Sequence, residues 1–175
     1  ALALLFLFGL FLLDPAFLNS MQSSLTLYVK RFEFNASLYY LLREVGYIWK
    51  GYNIIQVAGP YLALAGAFYI FCVTWYAKKR HWNIWRAIFW VWLGYLVLST
   101  TVHPWYIIPV LISGLLAGYH FPVLWSLVVL FTYVNYQEAG YNENLWIVGA
   151  EYSLVFLAFI LESVFSRNKP QKADI

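Results

Sequence analysis

The sequence predicts an all-α fold: a polytopic membrane helix bundle with an interfacial amphipathic helix on its outer face. Three observations carry that prediction. Hydrophobic residues make up 63% of the 175-residue chain and charged residues 11%, against about a quarter charged in an ordinary soluble domain. Several apolar runs approach the roughly 20 residues a helix needs to cross a bilayer. The two densest basic stretches, AKKRH at 77–81 and SRNKPQK at 166–172, each follow an apolar run directly, as cytoplasmic segments do under the positive-inside tendency.

Six apolar segments follow one another. The first, ALALLFLFGLFLL at 1–13, is closed by Asp14-Pro15. Nothing basic precedes it, so it is expected to be part of a membrane helix of a longer chain rather than a signal peptide. The second (54–77) ends at Lys78-Lys79-Arg80 and the third (84–102) at His103-Pro104. The fourth (105–118) stops at Gly118, the fifth (121–136) starts at Phe121-Pro122, and the sixth (145–165) runs into a basic tail, 166–175. The fourth and fifth are short, which suits a shallow hairpin or a locally thinned bilayer. With Lys78–Arg80 cytoplasmic, alternation puts 99–106 and 135–146 outside and returns 166–172 to the cytoplasm. Residues 1–165 are thus expected to form one bundle.

Residues 19–53 read differently. In NASLYYLLREVGYIWKG (35–51), Leu38, Leu41, Leu42, Val45, Ile48 and Trp49 recur at three- and four-residue spacing, with Tyr40, Arg43, Glu44, Tyr47 and Lys50 on the other side. That periodicity predicts an amphipathic helix, with Asn35 or Ser37 as N-cap and Gly51 as terminator. Its charges argue against crossing and its apolar stripe for lying on the outer membrane surface. Trp82, Trp85, Trp105 and Trp146 fall at segment ends, where interfacial aromatic belts place them.

Three outer-face stretches therefore share one side: 30–50, the STTVHPWY turn at 99–106, and 137–144. They supply Lys30, Arg31, Arg43, Lys50 and His103 together with Glu33, Glu44, Glu138 and Glu143. Basic groups at headgroup level suit a lipid phosphate or pyrophosphate: Arg as a planar fork, Lys or a protonated His as a point charge. The plain alternative for Lys30, Arg31 and Lys50 is snorkelling toward phospholipid headgroups. Glu151, about two turns into the sixth segment, is expected to be paired or functional, because a charge there is expensive. Asn35-Ala36-Ser37 matches a glycosylation sequon, a triplet common by chance.

Other classes recede. A net charge of +3 is too small to point to nucleic acid. His81, His103 and His120 fall on different faces of the expected topology, so no shared metal site is expected. There is no Gly-rich phosphate loop and no nucleophile elbow. Cys72 stands alone in an apolar run; it is expected to be a buried thiol and allows no disulfide within the chain.

The stretches KRFEFNASLYYLLREVGY, KGYNIIQVAGP, VLSTTVHPWYIIPVL and NLWIVGAEYSLVF, in that order, resemble the C-terminal half of bacterial membrane mannosyltransferases, most closely a Bacteroidetes-like branch. These are GT-C type glycosyltransferases that use a polyprenyl-phosphate sugar. The resemblance spans about 20–165, and FEFNASLYY and STTVHPWY are its specific part.

The resemblance implies sugar transfer on the outer face of the inner membrane from a polyprenyl-phosphate donor, with no other cofactor. The catalytic acid of such enzymes usually sits in a first outer loop, so it is expected outside this chain; LLDPAFL around Asp14 lacks an acidic companion. His103 and Arg43, with Lys30 and Arg31, would hold and neutralise the donor phosphate. Trp105 and Tyr106 would stack on sugar or isoprene, and Glu44 and Glu151 would give the pocket polar groups. Membrane lipids, the lipid-linked donor and other membrane subunits are the expected partners. Two alternatives stand beside this reading: a non-catalytic membrane scaffold subunit with the same fold, and a lipid-binding or transport module.

Overall fold

Asp14-Pro15 begins a helix as well as closing an apolar run. In the computed structural model, which describes Gly9 and residues 14–137, 140–141 and 144–167, α1 spans Pro15–Arg31. Pro at the first turn costs nothing, because its missing N–H has no partner there, and Asp14 Oδ1 accepts the Ala16 N–H at 2.9 Å. This helix is the largest feature that the sequence reading passes over. Apart from Gly9, the 1–13 segment lies outside the described residues, as do Glu138, Glu143 and residues 168–175 of the basic tail.

The predicted amphipathic helix forms as α2, Leu38–Lys50, and ends at Gly51 in the left-handed region (φ 76°), where a glycine carries no steric penalty. Ser37 occupies the N-cap position without making the cap bond; its hydroxyl donates instead to the Val97 carbonyl at 3.0 Å. The 54–77 segment becomes α3, Ile55–Lys79. The 84–102 segment becomes α4, Ile84–Leu98, stopping four residues earlier than expected because 99–103 leave the helix. A 3₁₀ turn, Pro104–Tyr106, leads into α5, Ile107–Leu116. The fifth segment divides into α6, Phe121–Val128, and a 3₁₀ stretch, Val129–Asn135. A two-residue antiparallel ladder, Tyr136–Gln137 (β1) with Gly140–Tyr141 (β2), precedes α7, Leu145–Arg167.

The described residues are thus all-α apart from that ladder. Among the described residues two helices are long and apolar enough to cross a membrane, α3 over 25 residues and α7 over the 21 residues Leu145–Phe165. The apolar helices at Ile84–Leu98, Pro104–Leu116 and Phe121–Val134 are shorter. One buried cluster joins α4 to α7, with Phe89, Leu96, Ile107, Val110 and Trp125 at its centre. A second joins α2 to α3 and α7 through Tyr39, Tyr40, Ala58, Leu62 and Val148.

The outward surface is oily. On α3, Tyr61, Leu64, Phe68, Phe71 and Trp75 are all exposed. Cys72 is exposed on the same helix, which corrects the expected buried thiol. On α2 the apolar stripe is split: Leu38 and Leu42 pack against the second cluster, while Leu41, Val45, Ile48 and Trp49 face outward. The face turned to the protein is Tyr39, Tyr40, Arg43 and Gly46, while Ile48 (88%), Trp49 (77%) and Leu41 (67%) stand out from it.

Helix α1 lies so close to α3 that a Cβ on Gly59 would fall 1.9 Å from the Val29 carbonyl oxygen, whereas one on Gly66 would meet nothing within 4 Å. Overpacking against backbone costs about 1–3 kcal/mol. Gly59→Ala is therefore expected to lower the Tm of the purified protein in detergent by several degrees, and Gly66→Ala to leave it nearly unchanged. Equal Tm values for the two variants would contradict this α1–α3 packing.

Candidate functional site

The two stretches that carry the sequence resemblance meet in space. Residues 32–34 run extended beside 100–102 as a short parallel bridge, Phe34 opposite Thr101. The Phe34 N–H donates to the Thr100 carbonyl at 3.1 Å, and the Val102 N–H to the Phe34 carbonyl at 2.8 Å. Buried backbone polar groups must find partners, and the hydroxyls of this turn help supply them. Thr101 Oγ1 donates to the Phe32 carbonyl at 3.2 Å, and Ser99 Oγ donates to the Thr101 carbonyl at 2.7 Å. The interruption of the apolar sequence by STT therefore satisfies a crossing of two non-helical strands.

Alternation along the extended 32–34 strand sends its side chains to opposite sides. Phe32 and Phe34 turn to His103, with ring centroids 6.2 and 4.8 Å away. Glu33 turns to Arg43, whose Nη1 donates to Glu33 Oε1 at 2.9 Å. Glu33 Oε2 also accepts the Tyr39 hydroxyl and, at 3.1 Å, the Asn53 amide. Burial first, and then the Glu33 carboxylate, push the Tyr39 phenol well above its ordinary value. Arg43 is 8% exposed, lies over the Tyr40 ring at 4.3 Å, and has Glu44 at 3.6 Å from its Nε. The FEF strand thus gives His103 and Arg43 different partners on its two sides.

His103 sits in an aromatic box. Its ring stacks on Trp105 (4.4 Å, 9° between planes) and meets Tyr106 edge-on at 5.3 Å. Tyr28 from α1 closes the cluster, stacking on Phe32 at 6.3 Å with its hydroxyl 3.5 Å from that of Tyr106. Burial pushes the His103 imidazole below its ordinary 6.5, so at neutral pH it is a neutral donor–acceptor and not the point charge expected from the sequence. Positive charge near the cluster comes instead from Lys30 and Arg31. They form the exposed last turn of α1, directly before Phe32. Trp105 is 53% exposed.

Glu151 is placed as the sequence suggested, buried (2%) and paired, but with neutral partners. The Asn35 amide donates to both of its oxygens at 3.2 Å, and Trp125 Nε1 to Oε1 at 2.9 Å. The next residue of α7, Tyr152, donates its hydroxyl to the Asn35 backbone carbonyl at 2.7 Å. Asn35 itself has φ 45°, a left-handed conformation that Asn tolerates better than other non-glycine residues. One residue thus ties the turn before α2 to α6 and α7.

Glu162, not singled out by the sequence reading, closes the opposite end of the bundle. Its carboxylate accepts the backbone N–H groups of His120 (2.8 Å) and Phe121 (2.7 Å) at the start of α6. A Glu one turn before a basic helix end was the available signal. Among the described residues no three His, Cys, Asp or Glu side chains are grouped so as to hold a metal ion. Comparison of the chain with protein-family models, with the curated proteins and with solved structures finds no match in any of the three.

Two measurements follow. Removing the Asn35 amide leaves Glu151 short of donors, so Asn35→Ala is expected to cost on the order of 2 kcal/mol, and Asn35→Asp more at neutral pH. Thermal unfolding of both variants checks this order. The neutral His103 gives the second. The folded chain binds fewer protons than the unfolded chain around pH 6, so the stability contributed by the neutral ring is full above about pH 6.5 and declines as pH falls toward the lowered folded value. His103→Phe is expected to flatten that limb in a Tm series from pH 5 to 8; a variant with the same pH slope as the wild type would contradict it.

Proposed function

We propose that this chain is the donor-side part of an integral-membrane glycosyltransferase, a mannosyltransferase of the GT-C type, that takes its sugar from a polyprenyl-phosphate donor. On this reading it is a multi-pass protein of the bacterial inner membrane, with its C-terminus cytoplasmic and the His103 turn outside. The observation that carries the reading is the meeting of FEFNAS with STTVHPWY. It builds an aromatic platform, Phe32, His103, Trp105 and Tyr106, beside the exposed Lys30-Arg31 pair.

The chemistry of that platform suits a lipid-linked sugar phosphate. The C–H face of a sugar stacks on an exposed indole, while cations at headgroup level neutralise phosphate. A cleft of about 370 Å³ between α1, α3 and α4 approaches the platform from below, with Leu62, Ala67 and Ile70 along it and Tyr28, Ser99 and Thr100 at its upper end. It offers the isoprenoid chain an apolar bed. The two long apolar helices and the exposed aromatic surface of α3 support the membrane setting, since a soluble protein rarely exposes so large an apolar surface. The outward apolar stripe of α2 supports its place at the interface.

In the transfer, the bond between the sugar anomeric carbon and the donor phosphate breaks, and a bond from the acceptor oxygen to that carbon forms. The phosphate leaves as polyprenyl phosphate, its growing charge met by Lys30 and Arg31, with the neutral His103 ring as a hydrogen-bond donor. The acceptor's proton passes to a carboxylate that this reading places outside the chain. Arg43, held by Glu33, supports the α2 roof.

The test is transfer from polyprenyl-phosphate mannose by the full-length protein in membranes, at matched expression. Trp105→Ala and the Lys30→Ala/Arg31→Ala double variant are each expected to reduce transfer at least tenfold with Tm near that of the wild type. Transfer at wild-type rates in both variants, or none in the wild type, would overturn the reading.

A further inference from the structure

Beside Ala36 and Ser37, between α2, α4, α6 and α7, lies a second and larger groove, of about 700 Å³. It runs along α7 from Leu145 to Phe159, about 21 Å at 1.5 Å per residue, longer than the roughly 15 Å that one leaflet's chains occupy. Its floor is made of buried residues, among them Ala36, Trp125, Val148 and Val155, so it is recessed into the bundle. Its one charge stands at one end, while Tyr40, Tyr152 and Ser153 add hydroxyls to its lining. At the end roofed by α2 stand Ser37 and Glu44; at the other end stand Trp90, Phe121 and Phe159. Glu44 is the one charged residue among the described residues that line it, and no Lys, Arg or His does.

We propose that this groove binds one hydrocarbon chain of a neutral, hydroxyl-headed lipid, a glycolipid, with its head group hydrogen-bonded to Glu44 at the α2 end. An apolar trough parallel to a helix long enough to span a bilayer matches a lipid chain in length and direction. The charge at its mouth selects the head. A carboxylate accepts hydrogen bonds from sugar hydroxyls and repels a phosphate monoester, the reverse of the Lys30-Arg31 side. The Lys30-Arg31 pair, which follows the Leu25, Tyr28 and Val29 lining of the smaller cleft on α1, carries the opposite charge. Resting on the transferase reading, the lipid in this groove is the sugar acceptor.

Gly149 supplies the test. It lines the groove, and a Cβ built on it meets nothing within 4 Å, so a side chain added there starts into open space at the groove wall. Full-length protein in nanodiscs is photolabelled with monoglucosyl diacylglycerol or phosphatidic acid, each carrying a diazirine in one acyl chain, and the adducts are mapped. The glycolipid is expected to label Leu93, Val97, Tyr152 or Phe156 at least fivefold more than phosphatidic acid does. Gly149→Trp should cut those adducts at least tenfold while leaving labelling of Phe68 and Phe71 on α3 unchanged, and Glu44→Lys should reverse the lipid preference. Groove labelling that is equal for the two lipids, or insensitive to Gly149→Trp, overturns the proposal. Labelling of α3 alone overturns the groove and leaves the membrane setting intact; absence of labelling on both surfaces overturns both. The transferase reading is judged separately, by the mannose-transfer assay, so its failure leaves the lipid selectivity measurable.

Discussion

A buried carboxylate with no cation beside it is the constraint on which the upper half of this bundle depends. Glu151 lies in an apolar helix and is satisfied by the Asn35 amide and the Trp125 indole. Leaving such a group unpaired is costly where water is absent, so α6, α7 and the turn before α2 are held in one arrangement. Asn35 answers twice, with its side chain to Glu151 and its carbonyl to Tyr152. Its left-handed backbone turns the chain from the FEF strand into α2. Because that strand is fixed, the 99–102 segment has an edge to pair with, and the aromatic cluster around His103 has its floor.

The same strand divides the polar and aromatic groups around it into two sets. One side carries rings and exposed cations, the other a closed ion-pair network of Glu33, Arg43, Tyr39 and Asn53. A cation that is already engaged, and 8% exposed, is an anchor for its own helix. An exposed pair at a helix end beside an indole is available to a ligand. Charge alone does not separate Arg43 from Lys30 and Arg31; burial and pairing do.

The helices were legible in the sequence because length and apolar content suffice to locate them. Runs 54–77 and 145–165 became α3 and α7 nearly as read, and the three- and four-residue spacing of 38–49 became α2. Legibility failed where one residue serves two elements. Asp14-Pro15 reads equally as a stop and as a start, and the start, α1, was missed. The third segment was extended to 102 because His103-Pro104 read as its stop, whereas 99–102 leave the helix after Leu98 to pair with the Phe34 segment, a long-range contact. Glu151 was visible as an expensive charge, but its partners lie 26 and 116 residues away, and no local pattern names them. The separate partners of His103 and Arg43 were hidden for the same reason: no local pattern specifies which side of a strand each residue meets.

The most direct test of the account is where the donor sits. Full-length protein is photolabelled with a polyprenyl-phosphate mannose analogue bearing a photoreactive group on its first isoprene unit, and the adducts are mapped by mass spectrometry. The account predicts adducts on 25–32 and 99–106, displaced by unlabelled donor and lost when Asn35→Ala releases the FEF strand. Adducts confined to α2 and α7, or labelling indifferent to competing donor, would contradict it.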